Sequence, residues 1–524
     1  MFGRIARRLG RPEVYVLVFC LLLVTLNIVL VQHSYNYNSD DVSWQSILTT
    51  WRPFSGQRAY LGSKDNFLVN LPFILIVNLF TQSGRMQLLL TSLLMALVNF
   101  ILFYFACLYF LKKFKIRTRS YGSLMPFIWV ASLGVGLYGF FLNTVWRDYE
   151  VGFIFVYYAL AAMYYFGEIH PLKNTRNKIL SLLMLLFVGA YVLSDLYFFY
   201  FAVIPVLVLF IVQYARKIVP AKKLLFISLW SLFAVGIARA STSVLARIGI
   251  FIPGGGLPLT KLSKLGSSVV QMLKSSSYIF GITTNGFKWT SIADLFIVLL
   301  SIVILFSILR PREKAKISVN NVTAWKIFFG VVALCVLIAY VAVDDGGSSA
   351  TRYLFLTIYL AALILSLYSS ALTKIPRQAV VLLIALAILS NLAASFNSFR
   401  LAADSIAVPN AANTQLITTI RGLGLSKGYA GYWDGNINSY MAGNINFLPV
   451  TCVKGRTKPL DLLVNAGLFK EPSSRTFLIL SPGMNPPLCS RSQVVSQFGR
   501  PAQTIRFSSK TIMVYNYDIY SRMN

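Results

Sequence analysis

The chain has 524 residues, of which 56% are apolar and only 12% are charged, whereas soluble domains carry about a quarter charged residues. This composition excludes a soluble fold. The net charge of +31 does not indicate a nucleic-acid partner, because Lys and Arg form short clusters between apolar runs, which is the pattern of membrane topology.

The first element is an apolar run from Val14 to Val31 that follows a basic start. The run is too long for the core of a cleaved signal peptide, and no cleavage site with small residues follows it. The sequence therefore predicts an uncleaved first transmembrane helix.

Apolar runs long enough to cross the bilayer recur along the chain and predict a polytopic α-helical membrane protein with about eleven spans. A shorter run over 67–80 predicts an interfacial or re-entrant helix on the outer side. The predicted spans are 13–32, 86–111, 121–141, 150–167, 179–194, 197–214, 223–243, 291–309, 323–343, 353–371 and 378–396.

The basic clusters predict the orientation, because all of them fall on one side if the spans alternate from a cytoplasmic N-terminus. The long loops 33–85 and 245–290 and the C-terminus are then extracytoplasmic. The clusters are Arg4/Arg7/Arg8/Arg11, Lys112/Lys113/Lys115/Arg117/Arg119, Lys173/Arg176/Lys178, Arg216/Lys217/Lys222/Lys223, Arg310/Arg312/Lys314/Lys316 and Lys374/Arg377.

The second long loop opens with a glycine-rich stretch at Pro253, which is typical of a hinge. It continues into a basic amphipathic segment from Leu262 to Phe280 that could lie in the membrane interface. A mobile basic flap near anionic lipid headgroups and a plain surface loop both fit this pattern.

The composition changes after residue 396, which predicts a transmembrane domain over 1–396 and a small extracytoplasmic α/β domain over 397–524. Cys452 and Cys489 lie in this domain, where an oxidising compartment allows a disulfide. Predicted strands cover 428–433, 447–452, 476–480 and 511–516, and predicted helices cover 414–423 and 460–466.

Most carboxylates of the membrane part lie at the outer ends of spans. Such groups are costly near a membrane and usually face a cavity or a partner. Asp65 and Asp294 fit ordinary solvated loop residues, whereas a functional role is favoured for Asp40, Asp41, Asp148, Glu150 and Asp195. A histidine-based metal site is not predicted, since the chain has only His33 and His170.

This arrangement resembles the GT-C superfamily of membrane glycosyltransferases, which use polyprenyl-phosphate-linked sugars. The acidic pair Asp40-Asp41 after the first span is similar to the acidic motif in the first outer loop of that superfamily. The segment from Trp146 to Glu150 is similar to the motif of its second loop, and Arg352-Tyr353 resembles the Arg-Tyr dipeptide at the start of a late span. The oligosaccharyltransferase Trp-Trp-Asp signature is absent from the sequence.

The resemblance implies transfer of a sugar to a glycan, lipid or protein acceptor at the outer face of the cell membrane, with inversion. Asp40 or Asp41 would be the general base, and Asp40 is preferred. The resemblance does not fix a cofactor, and the acidic pair could hold a divalent cation. A polymerase or ligase of lipid-linked glycans, and a flippase or transporter of lipid-linked sugars, remain as alternatives. The substrate-binding candidates are Arg147, Asp148, Glu150, Asp195, Arg352 and Tyr353.

Overall fold

The computed structural model consists of two compact units. The first comprises Met1–Ser34, Leu89–Gly236 and Gly256–Ser405, and the second comprises Tyr35–Leu88, Ile237–Gly255 and Ile406–Asn524. The structure describes residues 11–34, 47, 57–60, 67–81, 84–116, 123–132, 150–170, 175–194, 196–251, 259–279, 321–342, 354–368, 382, 385, 388, 389, 411–462, 464–484 and 486–523.

Helices dominate the described part of the chain. A short helical turn, Leu196–Phe198, and a π-helical segment, Phe199–Val203, precede α7. The helices are α1 (Arg11–Ser34), α2 (Phe67–Asn78), α3 (Gly84–Lys113), α4 (Met125–Ser132), α5 (Glu150–Tyr165), α6 (Thr175–Ser194), α7 (Ile204–Ala215), α8 (Ala221–Arg247), α9 (Leu265–Ile279), α10 (Asn321–Ala342), α11 (Phe355–Tyr368), α12 (Ala411–Gly422), α13 (Tyr432–Ala442), α14 (Gly467–Lys470) and α15 (Arg491–Phe498).

Four of the described helices are long and apolar enough to cross a membrane, over Arg11–Val29, Met86–Lys113, Ala221–Arg247 and Val322–Ala342. Shorter apolar helices coincide with other predicted spans. The prediction of a mainly helical chain with several candidate membrane spans and a C-terminal sheet region is confirmed. The number of eleven spans stays a prediction, because 291–309 and most of 378–396 lie outside the described residues.

The strands in the described part of the chain lie in two sheets, both in the second unit. They are β1 (Ala59–Tyr60), β2 (Ile250–Phe251), β3 (Lys427–Ala430), β4 (Asn446–Val453), β5 (Arg456–Pro459), β6 (Val464–Asn465), β7 (Thr476–Leu480), β8 (Gln503–Phe507) and β9 (Lys510–Tyr515).

The larger sheet has six strands in the order β5-β4-β3-β7-β9-β8. Strand β3 is parallel to β4 and β7, and the other pairs are antiparallel. Both faces are buried, as in a three-layer α/β domain: Phe477 and Val514 pack with α12 residues on one face, and Leu478 and Met513 pack with α15 residues on the other. The boundary predicted at residue 397 lies outside the described residues.

The smaller sheet joins three segments that are far apart in the sequence. Strand β1 lies between β2, to which it is parallel, and β6, to which it is antiparallel. Segment 460–466 is therefore not the helix that its sequence predicts, because Val464 and Asn465 pair with Tyr60 and Ala59. Within the second unit, this sheet ties residues of both long loops to the C-terminal region.

Candidate functional site

Nearly all of the predicted site residues lie outside the described part of the chain. Glu150 is the first residue of α5, and its backbone is described but its side chain is not. The residues outside are Asp40, Asp41, Arg147, Asp148, Asp195, Arg352 and Tyr353. Their roles stay predictions. The structure does describe the helices on either side of them in the sequence.

Each predicted motif of the first unit adjoins a helix terminus. The segment ending in Glu150 leads into α5, and Arg352-Tyr353 comes directly before Leu354, where the helical segment of α11 begins. Asp195 separates the end of α6 from the turn Leu196–Phe198. In the sequence, the predicted site residues are therefore adjacent to described helix termini, where backbone groups have no partner within the helix.

The first turn of α5 is fixed by a buried polar contact with α3. The backbone N–H of Gly152 donates a hydrogen bond to Oδ1 of Asn99 at 2.6 Å, and Asn99 is almost completely buried. A Cβ atom at Gly152 would lie 2.3 Å from the carbonyl oxygen of Asn99. Glycine is therefore required for this close approach of the two helices.

An aromatic layer one turn further along α3 brings the starts of α5 and α11 together. The ring of Phe103 lies 4.9 Å from that of Phe155 and 4.7 Å from that of Tyr359. Phe155 lies five residues after Glu150, the first residue of α5, and Tyr359 lies four residues after Phe355, the first residue of α11. Both helices therefore begin at a similar depth, ~7 Å from this layer at 1.5 Å per residue.

The ends of α5 fix its depth in the bundle. At the far end, Glu168 forms an ion pair with Lys113, the last residue of α3. Between Asn99 and Lys113 the helix α3 rises ~21 Å, which is less than the ~30 Å of a hydrocarbon core. The α5 terminus that carries Glu150 is therefore recessed along α3, which continues for a further 15 residues on the N-terminal side of Asn99, back to Gly84.

A second asparagine lies at a comparable height on α1. The side chain of Asn27 donates a hydrogen bond to the backbone oxygen of Ala131 in α4 at 3.0 Å. Glu13, fourteen residues earlier on α1, pairs with Lys112 at 3.3 Å. The two asparagines thus lie near one level of the first unit, about four turns from the face where the basic residues gather.

That basic face is held by charge pairs and backbone acceptors. Besides the pairs of Lys112 and Lys113, Nζ of Lys223 donates a hydrogen bond to the backbone oxygen of Tyr165 at 2.7 Å. These contacts join an end of α1, α3, α5 and α8. The ends that the positive-inside rule assigns to one side are therefore next to each other in the first unit.

Replacing Gly152 by Ala is expected to separate α3 from α5 and to destabilise the protein by about 1–3 kcal/mol, the usual cost of overpacking. The melting temperature of the purified protein in detergent measures this. Gly330→Ala is the matched control, because a Cβ atom there meets nothing within 4 Å. Equal melting temperatures of the two variants would contradict the proposed role of Gly152.

The described residues contain no group of three or more His, Cys, Asp or Glu residues that could hold a metal ion. Asp40 and Asp41, the acidic pair that could hold a divalent cation, lie outside them.

In the C-terminal sheet region, Cys452 and Cys489 are joined by a disulfide, with their Cα atoms 4.8 Å apart. Cys452 is on β4, and Cys489 lies next to Ser490, whose side chain accepts a hydrogen bond from the N–H of Gln493 at the start of α15. The bond therefore fastens the edge hairpin to the helix that covers one face of the sheet.

Removal of this disulfide by Cys452→Ser is expected to destabilise the C-terminal region by ~4 kcal/mol on the loop-entropy model, because the cysteines are 37 residues apart. Thermal unfolding measures the effect, and intact mass with thiol alkylation counts the free thiols. Cys335→Ser, which removes an unbonded thiol, is the control. Two alkylated thiols at 452 and 489 in the wild-type protein would rule the bond out.

No protein-family model matches the chain, and no curated protein matches its sequence. The structure is similar to the crystal structure of ArnT from Cupriavidus metallidurans in the apo state, with a TM-score of 0.52 and 9% sequence identity. The similarity covers 96% of this chain and 98% of ArnT.

ArnT is an undecaprenyl phosphate-4-deoxy-4-formamido-L-arabinose transferase and a GT-C glycosyltransferase. This chain has the fold of ArnT. The resemblance seen in the sequence is therefore confirmed at the level of the fold, and membrane helices and C-terminal region both take part in it.

Sequence reasoning missed the residues that position the helices of this fold. The sequence pattern shows Asn27, Asn99 and Gly152 only as parts of apolar runs and does not predict contacts for them. Asparagine is costly within a membrane span unless it has a partner. Asn27 and Asn99, which lie in predicted spans, were therefore a usable signal for helix contacts.

Proposed function

We propose that this protein is a membrane glycosyltransferase that moves a sugar from a polyprenyl-phosphate donor to an acceptor at the outer face of the cell membrane. The observation that carries the proposal is the similarity to ArnT over nearly the full length of both chains. The recessed start of α5 agrees with it, since a carboxylate at that depth needs a polar cavity.

The proposed reaction is a single displacement at the anomeric carbon. The carboxylate of Asp40, or of Asp41, takes the proton of the acceptor hydroxyl, and the hydroxyl oxygen forms a bond to the anomeric carbon. The bond from that carbon to the bridging oxygen breaks, and its electron pair leaves with the polyprenyl phosphate. The anomeric configuration is inverted.

The arginines are proposed to balance the charge of the departing phosphate. Guanidinium groups match phosphate oxygens in geometry and charge, which suits Arg147 and Arg352. Tyr353 is assigned to donor binding with them. The carboxylates of Asp148, Glu150 and Asp195 are assigned to sugar hydroxyls or to holding the arginines in place.

The proposed topology has eleven spans, a cytoplasmic N-terminus and an extracytoplasmic C-terminal domain. Two contact sets support it. The basic ends of α1, α3, α5 and α8 meet in the first unit, and β1, β2 and β6 bring together three segments that this topology places outside.

Cysteine labelling checks this topology. Ser39→Cys and Ser473→Cys are expected to react with a membrane-impermeant maleimide in intact cells, in a chain whose Cys20, Cys107 and Cys335 are replaced by alanine. Lys217→Cys, in a predicted cytoplasmic loop, should react only after permeabilisation. Protection of residue 39 or 473 in intact cells would refute the assigned orientation.

Donor turnover tests the function itself. Purified protein in proteoliposomes is incubated with a panel of polyprenyl-phosphate sugars and envelope glycans, and released polyprenyl phosphate is measured by mass spectrometry. The proposal predicts release with at least one donor and incorporation of its sugar into an acceptor. Movement of the intact lipid-linked sugar between leaflets, without release, would favour a flippase instead.

A further inference from the structure

Helix α9 and the turn before it expose an apolar face. Leu262, Val269 and Leu273 are 87%, 41% and 57% exposed. Their spacing of seven and four residues places the three side chains on one side of a helix. So large an exposed apolar strip is unfavourable in water and indicates a partner that covers it.

The position of α9 is fixed against a membrane helix. The backbone N–H of Thr260 donates a hydrogen bond to the carbonyl oxygen of Ala342 at 2.9 Å, and α9 packs against α10. Ala342 ends the apolar span Val322–Ala342. The start of this segment therefore lies at the end of a helix that crosses the membrane, which is the level of the lipid headgroups.

The charge at this point has one sign. Lys261 and Lys264 are both exposed, and they lie one and four residues after Thr260, which makes the hydrogen bond to Ala342. The sequence from 196 to 293 contains no Asp or Glu. The region is therefore complementary to an anionic surface beside an apolar one, as in helices that lie in a lipid interface.

We propose that residues 259–279 form a docking surface for anionic bilayer lipids. Leu262, Val269 and Leu273 insert between acyl chains, and Lys261 and Lys264 bind the lipid phosphates. The occupant is a bulk phospholipid with a net negative headgroup, because an extended apolar strip contacts many lipids, whereas a single donor phosphate does not require one. This surface does not depend on the proposed sugar transfer.

Hydrogen–deuterium exchange of the full-length protein in nanodiscs tests the proposal. The amides of 265–279 are compared in phosphatidylcholine alone and in phosphatidylcholine with phosphatidylglycerol. Exchange should slow with the anionic lipid, and salt near 1 M, where the Debye length is ~3 Å, should remove the difference. A third disc contains polyprenyl phosphate in phosphatidylcholine.

In the double variant Lys261→Gln/Lys264→Gln, the protection factor that phosphatidylglycerol gives should fall on the order of 30-fold. This is about fivefold for each lysine, which corresponds to ~1 kcal/mol per basic residue near an anionic surface. The control Lys454→Gln/Lys458→Gln removes two exposed lysines of the C-terminal region and should retain it. Unchanged exchange of α10 amides verifies the fold.

Three results would overturn the proposal. They are exchange that does not depend on phosphatidylglycerol, a phosphatidylglycerol effect that persists in the Lys261→Gln/Lys264→Gln variant, and protection by polyprenyl phosphate alone. The last would assign the surface to the donor.

Discussion

Asp40→Asn is expected to abolish sugar transfer while leaving folding and donor binding intact. The amide keeps the size of the carboxylate but cannot take the proton of the acceptor hydroxyl, and removal of a general base typically costs 10²–10⁴-fold in rate. Steady-state turnover in proteoliposomes measures the rate, and binding of labelled donor to the same preparation measures affinity. Asp41→Asn is the matched comparison and should have the smaller effect.

Arg352→Ala should lower both donor affinity and turnover, because an arginine that binds the lipid phosphate contributes to donor affinity as well as to catalysis. Weaker donor binding is expected in this variant, and near-normal binding in Asp40→Asn. If Asp40→Asn transferred sugar at the wild-type rate, the assignment of the acidic pair as the general base would be wrong.

Asp518→Ala is expected to destabilise the C-terminal region by about 3–5 kcal/mol, the cost of leaving a buried charge without its partner. Nζ of Lys427 donates hydrogen bonds to Oδ2 of Asp518 at 2.8 Å and to the backbone oxygen of Phe469 at 2.9 Å. The Lys427 side chain is only 5% exposed, so water cannot replace the lost carboxylate.

Tyr429 belongs to the same network. Its hydroxyl donates a hydrogen bond to Oδ1 of Asp518 at 2.7 Å. Burial raises the pKa of the Tyr429 hydroxyl well above its usual value, and the hydrogen bond to Asp518 and the negative charge of that residue raise it further. The tyrosine therefore stays protonated as a donor, and Tyr429→Phe should cost only about 1 kcal/mol, the net value of one hydrogen bond.

Pulse proteolysis of the full-length protein in detergent, over a urea series, measures the free energy of unfolding of this region. The double variant Lys427→Met/Asp518→Leu removes both charges together and should recover most of the stability lost in Asp518→Ala. If the double and single variants lost the same free energy of unfolding, the ion pair itself would determine stability, and the unpaired charge of Lys427 would not.

The membrane helices were predictable because lipid requires apolar runs of a minimum length. Helix α3 follows the predicted span 86–111 closely. The end of α8 was less predictable: the helix continues to Arg247, past the predicted limit at 243. The added residues include Val244 and Arg247, and hydropathy cannot locate a helix end that has left the hydrocarbon.

The C-terminal region was predictable where strands are apolar and central. Strand β7 occupies the predicted residues 476–480, and β9 lies within one residue of its predicted position. The edge strands β5 and β8 were missed, because their exposed residues, such as Arg456 and Lys458, carry no apolar signal. Segment 460–466 was assigned wrongly because its partner strand, Ala59–Tyr60, is about four hundred residues away in the sequence.

The motifs of the candidate site could be predicted from the sequence, whereas the residues that hold the neighbouring helices in place could not. Asp40 and Arg352 are visible as charged residues in an apolar sequence, whereas the contact between Asn99 and Gly152 depends on how two helices pack. Hydropathy treats both residues as small interruptions of a span. Only the 2.6 Å hydrogen bond between them, which shows that they are in contact, identifies Asn99 and Gly152 as residues that position the motif ending in Glu150.

The fate of the bridging oxygen is the most direct test of the proposed displacement at the anomeric carbon. A donor with ¹⁸O between the anomeric carbon and phosphorus is turned over by the purified protein, and both products are analysed by mass spectrometry. The proposal predicts that all of the label leaves with the polyprenyl phosphate and that the new glycosidic bond is inverted. Label retained on the transferred sugar would contradict it, because the phosphorus–oxygen bond would then be the one that breaks.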